Sequence, residues 1–403
     1  MTRPPEPELK QGRRLRVAVS TLSQNMSSPS GLLSWFSQLA QFLPEADPAS
    51  DYHFVLSQAT REFIVGRAPK AYADLVGWDS SHQALRLLSE HVLLGRWLAR
   101  ERIHVLLMAN AGTRPLCLPR SVKLVQGIFG FHHLSAAELK PWTRLYRKAL
   151  FASTLRRADR IVVNSLYSKT LLAGIDPAAL AKTRVVPHGR NEQLFHAGPL
   201  KDEERSALSA FPLHKPYFAF VSQIYPYKNV HTAVAGFCRF VIRTASPHRF
   251  AIVGKFSDRW GEGELYRQRL AGIAREHELE DRLVFIDSLP VKALRALYVS
   301  AEAYIQPSLS ETFGRTSLEA MACGCPVVAA RAGATPEIVG EAGLYFEGED
   351  ADGLAACLAR LQSDEALRRA SIERGLARAE RYSIRTEARQ LADVFAEAAG
   401  EDA

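Results

Sequence analysis

Residues 307–319 read PSLSETFGRTSLE. The apolar run Ala303–Gln306 (AYIQ) ends just before them, and a helical pattern over Ser317–Ala322 begins inside them. They therefore form the loop of a strand–loop–helix unit, the building block of alternating α/β folds. Gly314 lets a ligand approach the backbone closely. The free N–H groups of a helix opening near Arg315–Ser317 attract an anion such as a phosphate. Glu311 lies in the loop, and Glu319 follows in the first turns of the helix. A carboxylate at 319 can accept hydrogen bonds from two adjacent hydroxyls, such as a ribose diol, and Glu311 lies about one sugar ring away from it. A glutamate near a helix start is also commonly a cap or dipole partner and nothing more. On these residues alone both readings stand.

The same alternation extends in both directions. Upstream, short apolar runs over Leu15–Ser20, Tyr52–Leu56, His104–Met108, Val122–Val125, Arg160–Asn164 and Arg184–Pro187 read as strands. The pattern restarts with Tyr217–Ser222, Arg249–Val253, Leu283–Ile286, Ala303–Gln306, Pro326–Ala329 and Gly343–Phe346. Helical patterns lie between, for example Leu32–Leu43 and Asn229–Arg243. Apolar rather than alternating strands imply parallel sheets covered on both faces. The chain thus divides into a Pro-rich, charged tail (1–13), a first α/β domain (14–197), a Pro-, Gly- and charge-bearing linker (198–214), a second α/β domain (215–380) and a C-terminal helix (381–403) crossing back to the first. Ligands of such sheets bind at the carboxyl ends of the strands, and two halves suggest a cleft between them.

The chain has 403 residues, ample for two or three domains. It is 47% hydrophobic and 23% charged, an ordinary globular composition that excludes disordered, collagenous and disulfide-rich classes. No apolar run approaches the ~18 residues of a membrane span. The basic N-terminus lacks an apolar core for a signal peptide. Five scattered cysteines make no disulfide framework, and Cys323-Gly324-Cys325 reads as a pair of small core thiols. Together these point to the cytoplasm. The net charge of +8 favours anionic partners.

Glu311 and Glu319, followed by AMACGCPVVA (320–329) and ATPEIVGEAGL (334–344), closely resemble the retaining GT-B glycosyltransferases of family 4, the glycosyl transferases group 1. Phe218–Asn229 (FAFVSQIYPYKN) resembles the segment that clamps the donor diphosphate in that family. Lys228 matches its lysine, whereas Ser222 and Gln223 stand where Gly-Arg is usual. Lys255, after Gly254 at the end of the next strand, and Arg315 are candidates for the missing cation; each is equally readable as an ordinary surface residue. VVPHG (185–189) is similar to a family segment that usually ends in Asn-Gly, with His188 in place of the Asn as a turn residue. The family often has a histidine just after the strand corresponding to Val122–Val125. Here Gln126 occupies that place, and His132 and His133 come slightly late, either lining the cleft or serving structure.

The resemblance implies two Rossmann-like parallel-sheet domains and transfer of a sugar, of the hexosyltransferase type, from a nucleoside diphosphate to an acceptor hydroxyl with retention. It implies a front-face mechanism in which the leaving diphosphate accepts the acceptor's proton, so no metal or other cofactor is needed. Lys228 and the helix start at Arg315–Ser317 would stabilise the departing charge. Glu311 would orient the sugar and Glu319 hold the ribose. Phe313, Gly314, Arg315, Thr316, Gln223, Gly254 and Lys255 would complete the donor site, with Gly31 facing the donor from the loop after the first strand. A sugar-phosphate synthase, an epimerase and a non-catalytic nucleotide-sugar-binding protein share the architecture. The sole DxD, Asp350-Ala351-Asp352, reads as a helix start rather than a metal site.

Lys140–Arg160 carries seven basic residues against one acidic, interleaved with Trp142, Leu145, Tyr146, Leu150 and Phe151. It reads either as a peripheral contact with an acidic membrane, where lipid-linked acceptors reside, or as an amphipathic helix with a solvated basic face. No nucleic-acid-binding motif is present.

Overall fold

The computed structural model describes residues 14–22, 31–67, 88–109, 115–131, 141–257 and 262–400. The tail 1–13 and the pair His132–His133 lie outside these residues. The chain forms two compact units. One comprises residues up to Pro187 together with those from Ile384 onward; the other is His188–Ser383.

The first unit is built on a six-stranded parallel sheet. Its strands are β1 (Arg16–Ser20), β2 (Asp51–Val55), β3 (Val105–Met108), β4 (Lys123–Ile128), β5 (Arg160–Val163) and β6 (Thr183–Val185), in the order β2-β1-β3-β4-β5-β6. Alternate side chains serve different cores. Val17, Val19, Val105 and Leu107 enter one apolar cluster, while Ala18, Leu106, Met108 and Leu124 enter another. That two-residue period with both faces covered explains why the strands read as continuous apolar runs. The first cluster also holds the helices Gly31–Ala46 and Ile384–Ala399. The latter buries Ile384, Glu387, Ala388, Leu391, Val394, Phe395 and Ala398, a stripe at helical spacing. The buried Glu387 carboxylate accepts a hydrogen bond from the Trp35 indole. Gln126 is a buried residue inside β4, its amide donating to the Gly127 carbonyl, rather than part of a loop beyond the strand.

The second unit has strands β7 (Tyr217–Val221), β8 (Arg249–Val253), β9 (Leu283–Ile286), β10 (Ala303–Gln306), β11 (Val327–Ala330) and β12 (Gly343–Phe346). All pair in parallel, in the order β12-β11-β10-β7-β8-β9. Chain direction across the sheet therefore reverses between β7 and β10. In doubly wound sheets this switch point opens a crevice at the carboxyl ends of the two central strands.

The segment read as a linker belongs to this unit and is not loose. It contains the helix Asp202–Ser209, whose Glu204 carboxylate lies 2.5 Å from the buried guanidinium of Arg295. Arg295 also donates to the carbonyls of His196, Gly198 and Pro199. One buried arginine thus fastens residues 196–204 to the helix Val291–Ser300. The boundary read at 197 accordingly falls at Pro187, because His188 and Arg190 are already tied into the second unit. Arg190 bridges to Ser383 and takes the Tyr382 carbonyl on its backbone N–H.

Candidate active site

Two loops leave the switch point. The first follows β7. Ile224 N–H donates to the Lys255 carbonyl and Ser257 N–H to the Ile224 carbonyl, so the chain runs alongside the end of β8. This requires glycine at 254: its φ is +139°, and a Cβ there would stand 1.7 Å from the Ser222 carbonyl oxygen. A single 3₁₀ turn, Pro226–Lys228, comes next. Asn229 then adopts the left-handed conformation, φ +57°, which Asn tolerates better than most residues. Its amide donates to the carbonyls of Pro307 (3.1 Å) and Gly348 (3.2 Å), and its oxygen accepts from Thr232 (2.7 Å). Lys228 is thereby fixed against the second loop.

That second loop runs from Pro307 to Gly314, after β10. Gly314 has φ +91° and precedes the eight-residue helix Arg315–Ala322. The Glu311 carbonyl accepts from Ala334 N–H at 2.8 Å. Its carboxylate is in direct contact with the Lys228 ammonium, the two side chains being only 15% and 12% exposed. The Tyr304 hydroxyl donates to Thr316 Oγ1 (2.7 Å) and lies 3.2 Å from the Val221 carbonyl, joining β10, the helix start and the end of β7. Ser317 Oγ, in the first turn of that helix, is buried with no hydrogen-bond partner.

Glu319 is mostly buried, one turn beyond Arg315, whose guanidinium stands 3.7 Å away. Burial pushes its carboxyl up to about 7, against the pull of Arg315 and the neighbouring Tyr298 hydroxyl. Lys255 is exposed at the end of β8, and Gln223 is half-buried in the first loop. The Phe313 ring is buried edge-on against His188 (5.3 Å) and Tyr382 (5.8 Å), so only its backbone is available to a ligand. Gly31 opens the helix Gly31–Ala46 in the first unit, and among the described residues nothing lies within 4 Å of where a Cβ would point.

The structure thus brings Lys228, Glu311, Gly314, Thr316 and the helix start together in the second unit. It adds Asn229, Tyr304 and the His188–Tyr382 pair, which the motif reading left without a role there. Asn229 carried a signal, since it directly follows the lysine; the aromatic partners of Phe313 lie too far away in sequence to have given one. The DxD is a helix start: Asp350 caps Gly353 N–H at 2.9 Å, and Asp352 pairs with Arg239 and Arg243. Among the described residues no three His, Cys, Asp or Glu side chains converge as a metal site. Cys323 and Cys325 are buried free thiols.

Comparison with known proteins places this geometry. The family described as glycosyl transferases group 1 matches residues 201–378. A D-inositol 3-phosphate glycosyltransferase of Saccharomonospora viridis is 30% identical over 308 residues, 75% of this chain and 67% of that protein. The chain belongs to the glycosyl transferases group 1 family. A relative of the same name from Acidothermus cellulolyticus is 32% identical over 236 residues, 57% of this chain. The match spans about half of that relative, 51% of its length. Among solved structures, the sucrose-phosphate synthase of Thermosynechococcus elongatus superposes with a TM-score of 0.75 at 19% identity, covering 96% of this chain and 100% of that one. Anabaena HepE in complex with UDP-glucose gives 0.74 at 17% identity, covering 95% and 100%. These likenesses establish that this member of the family has the GT-B fold.

Proposed function

We propose that the chain moves a sugar from a nucleoside diphosphate to an acceptor hydroxyl, with retention and without a metal ion. The observation that carries this reading is the convergence of Lys228, Glu311 and the N-terminus of the helix Arg315–Ala322 at the sheet's switch point. A diphosphate there meets one ammonium and the positive end of that helix's dipole, which oppose its growing charge as the bond from the anomeric carbon to the phosphate oxygen breaks. The acceptor oxygen bonds to that carbon on the same face, and its proton passes to the departing diphosphate. Glu311 orients the sugar through its hydroxyls, and Glu319 accepts the ribose diol.

The test is thermal unfolding with UDP, GDP, ADP and CDP and their sugars, in the absence of added metal. A ligand at 100 times its dissociation constant adds about 2.7 kcal/mol of stability. A clear shift with one base is expected; no shift with any of them would remove the donor reading. HepE is solved with UDP-glucose, so UDP-sugars come first, and the names of the curated relatives make a phosphorylated polyol the first acceptor to try.

The second partner in this reading is an acidic membrane surface. On the helix Pro141–Arg157, Trp142 and Leu145 are 68% and 70% exposed, and Lys148 and Arg156 are exposed beyond them. Arg157 and Arg160 are occupied internally, by Asp159 and Glu397. An exposed Trp–Leu pair flanked by exposed cations suits an anionic interface. Among the described residues no helix is long and apolar enough to cross a membrane. Sedimentation with phosphatidylglycerol vesicles is expected to carry the protein down, and phosphatidylcholine vesicles are not. The double change Trp142→Ser, Leu145→Ser should abolish co-sedimentation; an unchanged result would reject this contact.

A further inference from the structure

We propose that Glu311 is the resident counter-ion of Lys228, displaced when the donor's diphosphate arrives and reclaiming the lysine once the sugar has left, so that it promotes release of the nucleoside diphosphate product. The inference rests on the donor reading above and extends it from binding to turnover.

The two groups that a donor needs are here bound to each other. Both backbones are held independently of that contact. Lys228 ends a 3₁₀ turn locked by the Asn229 hydrogen bonds, and Glu311 is held through its carbonyl by Ala334 N–H. Exchange of partners therefore needs side-chain rotation only. The pair is largely shielded from water, where charge interactions are stronger than at a free surface and an unpartnered carboxylate is costly. When a complete donor binds, its diphosphate takes the ammonium, and the sugar hydroxyls give Glu311 replacement hydrogen bonds. After transfer those hydroxyls are gone. The carboxylate then faces anionic phosphate oxygens with no donor of its own, and the electrostatically favoured partner is again Lys228. The site thus distinguishes donor from product by what it offers Glu311, not by contacts to the nucleotide.

The experiment is calorimetric titration of the full chain with UDP, GDP and ADP, for wild type, Glu311→Gln and Glu311→Asp. Gln removes the charge; Asp keeps it but withdraws it by one methylene from the lysine. For the nucleoside diphosphate that wild type accepts, Glu311→Gln should bind about tenfold more tightly, equivalent to about 1.4 kcal/mol. Glu311→Asp should also bind more tightly, by a smaller factor. Equal or weaker affinity in both variants, with thermal unfolding like that of wild type, overturns the counter-ion role and leaves the donor reading intact. Absence of binding to wild type and variants alike overturns both.

Discussion

Replacing Glu311 by alanine is expected to lower sugar transfer by about a hundredfold or more, while binding of the nucleoside diphosphate is not lost. The direction follows from what the residue holds. Its backbone is tied to Ala334 and its carboxylate reaches Lys228, which under the proposed donor reading sets it at the sugar end of the diphosphate subsite. A sugar free to turn there is rarely aligned for attack, and misplacement by about an ångström commonly costs a factor on the order of 100. Single-turnover transfer measured beside nucleotide titration separates the two effects. Turnover like that of wild type would show that Glu311 does not orient the sugar.

The largest expected effect on stability lies elsewhere, at Glu204. Arg295 is almost completely buried, and the Glu204 carboxylate is its only anionic partner among the described residues. Glu204→Ala leaves that guanidinium buried with carbonyl contacts alone. Removing one partner of a buried pair typically costs about 3–5 kcal/mol. For a unit of this size that is a fall in Tm of roughly 10 °C, readable by circular dichroism. Glu204→Gln, which keeps an acceptor oxygen, should recover part of it. The pair also sets an acid limit. Burial works to raise the Glu204 carboxyl, but the Lys201 backbone N–H and Arg295 outweigh it and hold the group below its ordinary 4.5. The stabilisation is complete above that ordinary value and is lost as the pH falls through the depressed one. A Glu204→Ala fall in Tm that was the same at pH 3 as at pH 7 would contradict the ionic account.

The two effects show what the amino-acid order reveals and what it hides. Strands such as Arg249–Val253 and Ala303–Gln306 are legible to the residue, because a strand covered on both faces is a short apolar run bounded by Pro, Gly or charge. Glu311 and Gly314 are picked out by their place in the loop after a strand and Lys228 by the family resemblance, and the topology brings the two loops together. The helix Asp202–Ser209 is not, since an ion pair to a residue far along the chain leaves no period in the apolar pattern. Phe313 misleads for the opposite reason. Its place between Glu311 and Gly314 suggests ligand contact, whereas its ring is claimed by His188 and Tyr382 from the two ends of the unit. Left-handed Asn229 is a backbone requirement, which the residue type permits but does not announce.

The first unit is interrupted. Its sheet is encoded before His188, but the helix Ile384–Ala399, which supplies Leu391, Val394 and Phe395 to its core, is encoded after the second unit. On the ribosome the two units therefore meet different fates. The second is contiguous and can complete itself as it emerges, in keeping with the domain-by-domain habit of large chains. The first must wait with one wall of its apolar core open, and with Trp35 lacking the carboxylate of Glu387, until the whole of the second has been synthesised. The helix that closes the first unit's core is made only after the second unit is complete.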